Sequence, residues 1–453
     1  MSLTSKLPQE FFDNMKAVLG GDYDDYIALL DNEPYRGLRV NTLKCDDDTL
    51  KRLLDIEMTK TPFCEHGYYI SNGVSGLGNH PLHHAGAFYL QEPSAMSAVT
   101  ALDVHKGDKV LDLCAAPGGK STQIAADLQG SGLLVSNEIV SGRAKILASN
   151  LERMGVRNAV VTNAHPDVIC DELQGWFDRV LVDAPCSGEG MIRREPAAVS
   201  EWRLENHEMC AERSAKILDS AAIALKSGGI MVYSTCTLSA EENERTVDEF
   251  LNRHPEFSLV DITAQFGRAA YPRLCGRDDI HKSRRIVYPD GGEGHFVAKL
   301  QKRDVFEQPC SVLQVTDYDK CALLDEFLSE YTYIKPERYK AVGDTVYILP
   351  QIMPNLRKTR IIRAGIEAGK LIKNRFSPSH GLYVASVPDM HKNLLDLDCN
   401  SEEIRRFLHG EVIVCEFSGY TAVAVNGIIV GFGKASNGQL KNHYPKGLRT
   451  LNI

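Results

Sequence analysis

Two segments of the chain each place a cysteine just after an apolar run that has the character of a buried strand. Asp183 and Cys186 belong to Asp-Ala-Pro-Cys-Ser-Gly-Glu-Gly, and Cys236 belongs to Ser-Thr-Cys-Thr. Open α/β sheets bind their ligands outside the carboxyl ends of the strands. We therefore expect both thiols and the carboxyl group at one site.

These groups are the ones that methyl transfer to carbon 5 of a pyrimidine needs. A thiolate adds to carbon 6, which makes carbon 5 electron-rich enough to attack a sulfonium methyl group, and an acid at ring atom N3 assists the addition. The carbon 5 proton then leaves and the thiol is eliminated. Cys236, Asp183 and Cys186 supply such a set, but spacing alone leaves open which cysteine is the nucleophile.

Ser239 and Glu242 form a capping-box pattern, which predicts a helix that begins just past Cys236. A positive helix end beside Cys236 would stabilise the thiolate that a nucleophile requires.

Residues 111–121 read Leu-Asp-Leu-Cys-Ala-Ala-Pro-Gly-Gly-Lys-Ser and predict a strand, a glycine turn and a helix N-terminus. Gly118 and Gly119 would let the backbone approach a ligand. The adjacent glycines match neither a phosphate loop nor the dinucleotide motif, so a nicotinamide cofactor is disfavoured. Glu138 ends the next apolar run, about twenty residues further on, where a carboxylate binds the ribose of a nucleoside-bearing cofactor.

The elements that must position these loops alternate between strand and helix from residue 109 to about residue 303. The alternation predicts an α/β fold with a mostly parallel, doubly wound sheet, and Pro-Asp-Gly-Gly at 289–292 predicts a hairpin that adds an antiparallel edge. The first strand begins near residue 109 and ends in the glycine turn, and further strands are predicted at 133–137, 159–162, 179–182 and 229–234. The helices are predicted at 143–154, 196–225 and 240–252.

The composition restricts the kinds of protein that this chain can be. The 453 residues allow two or more domains, with 43% hydrophobic and 25% charged residues. There is no run of eighteen apolar residues and no basic-then-apolar N-terminus, so we expect neither a membrane span nor a secretory signal. We expect a cytoplasmic protein with mostly buried, reduced cysteines, and no metal site, because Cys-x-x-Cys and zinc spacings are missing. A net charge of −9 means that any nucleic acid must be bound by local basic patches.

Two such patches lie outside the alternating region. Arg36 and Arg39 flank a short predicted strand after two helix-like patterns and either contact phosphates or form a solvated edge. Following a predicted connector at 303–314, the segment 354–376 sets seven basic residues against the single acid Glu367, which is the most basic stretch of the chain. The seven are Arg357, Lys358, Arg360, Arg363, Lys370, Lys373 and Arg375. Beyond them, Asn426-Gly427 predicts a tight hairpin in a β-rich module.

The glycine cradle at 111–121, the segment 183–190 and Ser-Thr-Cys-Thr at 234–237 resemble the motifs of the Nop/Sun family of S-adenosylmethionine-dependent RNA cytosine-5 methyltransferases. The resemblance covers about residues 30 to 303. The tail, with Leu356-Arg357 and residues 370–383, is similar to the bacterial RsmF branch of that family, which modifies 16S ribosomal RNA.

The resemblance implies a role for each candidate residue. Cys236 is then the nucleophile, Cys186 helps to break the covalent adduct, and Asp183 contacts both the cytosine and the methyl donor. Glu138 holds the ribose, and Asn163 falls at the adenine-side position, where many relatives have Asp. The other expected S-adenosylmethionine contacts are Cys114, Ala115, Ala116, Pro117, Gly118, Gly119, Lys120 and Arg143.

The resemblance also implies a partner and a domain plan. We expect a monomer that binds 16S ribosomal RNA or the small ribosomal subunit, flips the target base out of its helix, and binds neither DNA nor membrane. The alternatives are a cytosine-5 methyltransferase acting on transfer RNA or another nucleic acid, and a non-catalytic RNA-binding or assembly factor. The expected parts are an accessory RNA-binding module (1–95), the methyltransferase domain (96–303), a linker with a small α/β module (304–365) and a PUA-like RNA-binding domain (366–453).

Overall fold

A computed structural model describes residues 2–304, 312–336 and 338–450 of the chain. Most of the connector expected at 303–314 therefore lies outside the described residues. Within the described residues, the strands form four sheets, and no helix is long and apolar enough to cross a bilayer.

The N-terminal module carries a four-stranded antiparallel sheet of order β2-β3-β1-β4. Its elements are α1 (Gln9–Leu19), α2 (Tyr23–Ala28), β1 (Gly37–Val40), α3 (Asp47–Leu54), β2 (Met58–Lys60), β3 (Gly67–Ile70), α4 (Pro81–His84) and β4 (Phe88–Leu90). Helix α1 is amphipathic, and its buried Phe11 and Met15 pack in one cluster with Trp202 and Leu238 of the next domain. The first helices thus brace the segments that follow the two cysteines.

The central domain is built on a ten-stranded sheet whose parallel core has the order β9-β8-β5-β6-β7. Its elements are α5 (Ser97–Leu102), β5 (Lys109–Asp112), α6 (Gly119–Leu128), β6 (Leu133–Asn137), α7 (Ser141–Arg153), β7 (Ala159–Asn163), α8 (Pro166–Glu172), β8 (Phe177–Asp183), α9 (Pro196–Glu201), α10 (Glu205–Ala224), β9 (Leu225–Thr235), α11 (Thr246–Arg253), β10 (Phe257–Leu259), β11 (Arg268–Ala269), β12 (Arg284–Ile286) and β13 (His295–Lys302).

The predicted α/β class and the antiparallel edge are confirmed. Strands β5, β6, β8 and β9 are apolar and buried because helices cover both faces of the sheet. Strands β12 and β13 pair antiparallel, with Ile286 opposite His295, as the Pro-Asp-Gly-Gly signal predicted. From β5 the chain adds β6 and β7 on one side, and it then crosses over to add β8 and β9 on the other side of β5. The switch point of the strand order, where ligands bind, therefore lies between β5 and β8.

Two predicted helices differ from the structure. The helix predicted at 196–225 is two helices, because Trp202 adopts an extended conformation that turns its buried indole toward Glu189, to which it donates a hydrogen bond of 2.9 Å. The helix predicted at 240–252 opens with a π-helical turn (Glu241–Arg245) before α11.

The C-terminal region contributes to three sheets. Its elements are α12 (Ala322–Tyr331), β14 (Tyr339–Val342), β15 (Thr345–Ile348), β16 (Arg360–Ala364), β17 (Ile366–Ile372), β18 (Arg375–Pro378), α13 (His380–Val384), β19 (Leu394–Leu397), α14 (Glu402–His409), β20 (Ile413–Val414), β21 (Gly419–Val425), β22 (Ile428–Ser436) and β23 (Gln439–Asn442). Strand β16 pairs antiparallel with β7 and so extends the central sheet. The expected boundary between residues 365 and 366 falls inside one module, because β14, β15, β17 and β18 form a single sheet.

The last sheet has the order β19-β21-β22-β23-β20 and contains the predicted Asn-Gly hairpin. Asn426 and Gly427 have φ of +46° and +81°, as a tight two-residue turn between β21 and β22 requires. This sheet shares one hydrophobic core with the N-terminal module, in which Leu38 and Phe88 cluster with Phe407. The two ends of the chain are therefore packed together.

Candidate active site

The glycine cradle forms at the end of β5, as predicted. Gly118 has a φ of +116°, which favours glycine, and α6 begins at the next residue. The second glycine also has a packing role. A Cβ on Gly119 would lie 3.1 Å from Nε2 of Gln91 and 3.3 Å from the ring of Tyr89, so this glycine makes room for the N-terminal module.

Asp112, the last residue of β5, lies at the base of the cradle and is fully buried. Its Oδ2 accepts a hydrogen bond of 2.6 Å from the Ser121 hydroxyl, whereas Oδ1 has no partner among the described residues. Burial raises the pKa of Asp112 to about 7. Asp112 was not among the residues predicted for the site, although it is a lone acid at the end of an apolar strand.

Glu138 is buried at the end of β6 and is held in place by its own loop. Its Oε1 accepts a hydrogen bond of 2.8 Å from the Val140 N–H, and its Oε2 lies 3.4 Å from Arg143 Nη1. Arg143 also donates to the Ala116 carbonyl at 2.7 Å. This arginine therefore joins the ribose-side loop to the cradle.

Asn163 takes part in this loop in a way that the sequence did not predict. Its amide donates to the Glu138 and Ile139 carbonyls at 2.7 and 2.8 Å and so secures the backbone. The cavity beside it is lined instead by Ile139 and Val140, which are 54% and 50% exposed, and by residues 165–167. These apolar side chains, and not Asn163, offer a surface for a flat aromatic ring.

A cavity of about 830 Å³ runs from this loop to the two cysteines. Glu138, Asp183, Cys186 and Cys236 all line it, together with four residues of α10: Arg213, Lys216, Ile217 and Ser220. A smaller cavity of about 220 Å³ adjoins it and is lined by Asp112, Lys120 and Asp183. The space is large enough for a nucleoside-sized ligand next to a second ring.

Asp183 is fixed between the cradle and β9. Its Oδ2 accepts a hydrogen bond of 2.8 Å from Lys120 Nζ, and its Oδ1 accepts one of 2.7 Å from the Ser234 hydroxyl. Burial alone would lower the pKa of Lys120, but the Asp183 carboxylate outweighs burial and the pKa of Lys120 is raised. The ammonium group therefore stays charged and holds the carboxylate at the cavity wall.

The two cysteines are in contact. Their Sγ atoms lie 3.3 Å apart, both thiols are free, and the Cys236 N–H points at Cys186 Sγ, also at 3.3 Å. The adjoining Cys236 thiol and burial raise the pKa of Cys186, which keeps this residue as a thiol. One protonated sulfur thus stands directly beside the other.

Two buried carboxylates fasten the cysteine loops to each other. Glu189, from the first loop, accepts hydrogen bonds from the Thr237 hydroxyl and the Leu238 N–H at 3.0 and 3.1 Å. Glu242, from beyond the second loop, accepts from the N–H of Ser187 at 2.9 Å and from its hydroxyl at 2.5 Å. The two loops therefore behave as one unit.

This arrangement corrects the capping-box prediction. Ser239 Oγ accepts from the Glu242 N–H at 3.2 Å, but the carboxylate of Glu242 does not return to Ser239 because it is bonded to Ser187. The helical turn begins at Glu241, five residues past Cys236, rather than directly beside the thiol.

The basic residues predicted to contact RNA fall into a buried group and an exposed group. Arg39 is only 2% exposed and bonds to Thr122, Gln91 and Gln123, so it braces the cradle helix and is not available to phosphates. Arg36 is half-buried and donates to three backbone carbonyls, and Arg363 is buried in β16. The exposed members are Arg357, Lys358, Arg360, Lys370, Lys373 and Arg375.

A doubly wound sheet that carries a glycine cradle, a ribose-side carboxylate and two thiols at its switch point defines a nucleoside-cofactor-dependent methyltransferase domain. In the described part of the chain, no cluster of His, Cys, Asp or Glu could hold a metal ion.

Comparison with known families identifies the branch. Residues 99–301 match the model for the 16S rRNA methyltransferase RsmB/F, and residues 7–93 match the N-terminal domain of 16S rRNA methyltransferase RsmF. Residues 326–385 match the first C-terminal domain of RsmF, and residues 394–450 match its PUA domain.

The chain is 33% identical to the ribosomal RNA small subunit methyltransferase F of Vibrio vulnificus, over 98% of this chain and 97% of that protein. It is 31% identical to the same enzyme of Aeromonas salmonicida, again over 98% and 97% of the two chains. The chain therefore belongs to the RsmF family of S-adenosylmethionine-dependent rRNA methyltransferases.

Solved structures agree on the fold. A methyltransferase homologue from Pyrococcus horikoshii superposes with a TM-score of 0.58 at 29% identity, covering 65% of this chain and 95% of its own. The structure of NSun6 from the same organism, determined with SFG, superposes with a TM-score of 0.58 at 22% identity and covers 65% of this chain and 98% of its own.

Proposed function

We propose that this chain transfers a methyl group to carbon 5 of cytosine in 16S ribosomal RNA through a covalent adduct of Cys236 with carbon 6. The observation that carries the proposal is the pair of touching thiols at one end of the cavity that the cradle and Glu138 line at the other. Family membership supports the RNA substrate, because the relatives in Vibrio and Aeromonas are named for the small-subunit RNA.

The residues present fit S-adenosylmethionine, which supplies an electrophilic methyl group when bound. Glu138 would accept the ribose hydroxyls, and the apolar side chains of Ile139 and Val140 would cover the adenine. The unpaired Oδ1 of Asp112 would accept the ammonium group of the methionine part. Residues 114–120 and Arg143 would close around that end of the molecule.

The remaining side chains would act on the base. Asp183, held by Lys120 and Ser234, orients the polar edge of the cytosine. Cys236 adds to carbon 6, and the protonated Cys186 stands 3.3 Å from the sulfur that must later depart. The contact between the two sulfur atoms favours one nucleophile and one group for release over two equivalent nucleophiles.

The exposed basic residues of β16 to β18 and the PUA domain would bind the RNA backbone, with the target base flipped into the cavity. We propose further that the protein works as a monomer in the cytoplasm, on RNA and not on DNA. The RNA-binding parts would be residues 1–95 and the C-terminal region that follows residue 303.

The test is methyl transfer from labelled S-adenosylmethionine to three substrates: deproteinised 16S RNA, small ribosomal subunits and transfer RNA. Bisulfite mapping locates the product, and RNA containing 5-fluorocytosine, which cannot lose a carbon 5 proton, reports the adduct as a denaturant-resistant complex. We expect 5-methylcytosine in 16S RNA and a trapped complex. Methylation of transfer RNA alone would contradict the substrate, and absence of trapping would contradict the adduct.

A further inference from the structure

Glu92, Ser94 and His295 form a buried chain of hydrogen bonds beside the proposed cytosine site. Glu92 accepts four of them: the N–H groups of Ser94, Ala95 and Glu293 at 2.9, 2.8 and 3.2 Å, and the Ser94 hydroxyl at 2.6 Å. The same hydroxyl lies 2.8 Å from Nδ1 of His295. No role described above uses any of these three side chains.

Counting the protons settles which ring nitrogen is free. The Ser94 hydroxyl has one proton, which it gives to Glu92, because a carboxylate that accepts four hydrogen bonds has none to donate. Nδ1 of His295 then carries the ring proton, because both of its neighbours, the Ser94 oxygen at 2.8 Å and Glu92 Oε2 at 3.5 Å, can only accept. In the neutral ring Nε2 is left with a bare lone pair, and it has no hydrogen-bond partner among the described residues.

Burial is the main reason that the ring of His295 stays neutral. Burial lowers the pKa of His295, Lys120 lowers it further, and Glu92 and Asp183 only partly oppose them. The ring is 4% exposed, and Ala95, the neighbour of Ser94, lines the 220 Å³ cavity with Lys120 and Asp183. The histidine is thus a buried neutral base that contacts Ser94, the neighbour of a residue in the cavity wall.

The sheet places His295 on the proper side for one step of the reaction. Phe296 pairs with Thr235, so the residue before it on β13 lies level with Cys236 at the end of β9. Strand β13 lies beyond β9, on the side away from β5 and β6, which carry the cradle. A methyl group that enters from the cradle side turns the carbon 5 hydrogen toward the β9 and β13 side of the sheet, to which His295 belongs.

We propose that Nε2 of His295 is the base that removes the carbon 5 proton from the methylated adduct, an inference that rests on the proposed function. The C5–H electron pair forms the C5–C6 double bond, the C6–S bond breaks, and Cys236 leaves as a thiolate that the Cys186 thiol hydrogen-bonds. The proton ends on Nε2, and the positive ring is stabilised through Ser94 by Glu92. Ser94 and Glu92 are positioning residues.

The test compares His295→Gln, Ser94→Ala and the wild type on RNA labelled with tritium at carbon 5 of cytosine. For His295→Gln we expect a loss in kcat of about 100-fold or more, with tritium release lowered to the same extent. One methyl group per enzyme should still transfer, and a methylated protein–RNA adduct should accumulate. Ser94→Ala, which keeps the imidazole, should give a smaller loss of the same kind.

Two further measurements separate a base from a structural residue. Added imidazole should restore tritium release to His295→Ala, and the acidic limb of the wild-type pH profile for kcat should lie below about pH 6.5 and vanish in His295→Gln. The control is His391→Gln, because this buried histidine is also bonded to a serine, Ser386, but lies in the C-terminal region. It should leave tritium release unchanged.

The outcomes are distinguishable from failure of the proposed function. If wild-type enzyme does not trap 5-fluorocytosine RNA, the covalent mechanism fails and this inference with it. If the wild type traps but His295→Gln and Ser94→Ala turn over normally, only the role of His295 is overturned. It is overturned as well if His295→Gln, folded by thermal melting, neither traps 5-fluorocytosine RNA nor transfers the first methyl group.

Discussion

The carboxylate of Glu242 accepts hydrogen bonds from both the backbone N–H and the hydroxyl of Ser187, which follows Cys186 in the chain. Burial raises the pKa of Glu242 to about 7 from a usual 4.5, against the opposing effect of these hydrogen bonds. The residue that fastens one cysteine loop to the other is therefore half-protonated near neutral pH.

This shift predicts how stability depends on pH. The folded state holds a proton on Glu242 that the unfolded state releases above pH 4.5, so its contribution to the free energy of unfolding falls as the pH rises to about 7. At about 1.4 kcal/mol per unit the fall is roughly 3 kcal/mol. Glu242→Gln should remove it, as thermal melts at about pH 5 and about pH 7.5 would show. The exposed Glu208→Gln is the control, and an unchanged slope in Glu242→Gln would contradict the assignment.

The 3.3 Å contact between Cys186 and Cys236 predicts opposite phenotypes for the two alanine variants. Cys236→Ala should abolish both turnover and adduct, because the nucleophile is gone. Cys186→Ala should accumulate a covalent protein–RNA species on a denaturing gel, because the departing sulfur has lost its partner. Cys415→Ala, a buried thiol of the C-terminal sheet, should behave like wild type. An adduct formed by Cys236→Ala would reverse the two roles.

Asp112 predicts a pH dependence of cofactor binding. Its carboxyl group has a pKa of about 7 and its free Oδ1 is a better partner for an ammonium group when ionised. The affinity for S-adenosylhomocysteine should therefore weaken below pH 7, by up to about tenfold per pH unit. Asp112→Asn should bind weakly at every pH, with a flat profile in calorimetric titration. A wild-type profile without a step near neutrality would count against contact with Asp112.

Burial separates the arginines that support the fold from those that are free to bind RNA. Arg39→Gln should lower stability by about 3 kcal/mol, because it leaves buried hydrogen-bond partners in the cradle helix unpaired. Charge reversal of Lys370, Lys373 and Arg375 should leave the Tm unchanged, weaken RNA binding and reduce its salt dependence. Filter binding at several salt concentrations measures both. Loss of RNA affinity in a stable Arg39→Gln protein would overturn the division.

The parts of the site that were predictable from sequence are those fixed by residues close to one another in the chain. The cradle, Glu138 and the two cysteine loops each follow a strand within a few residues, so the strand pattern places them at one edge. The contacts of Arg39, Arg363 and Glu242 were not predictable, because their partners lie 83, 215 and 55 residues away. The capping box failed for this reason: Ser187 competed for the carboxylate that a local rule assigns to Ser239.

Strand β16 has a consequence for any attempt to isolate the catalytic region. It covers the outer edge of β7, with Arg360 opposite Asn163, although nearly two hundred residues of chain separate the partners. A protein ended at residue 303 would keep every catalytic side chain yet expose the bare amide edge of β7, to which other copies could add strands. Such a fragment would be prone to aggregate, whereas one that extends through β16 would not carry that open edge.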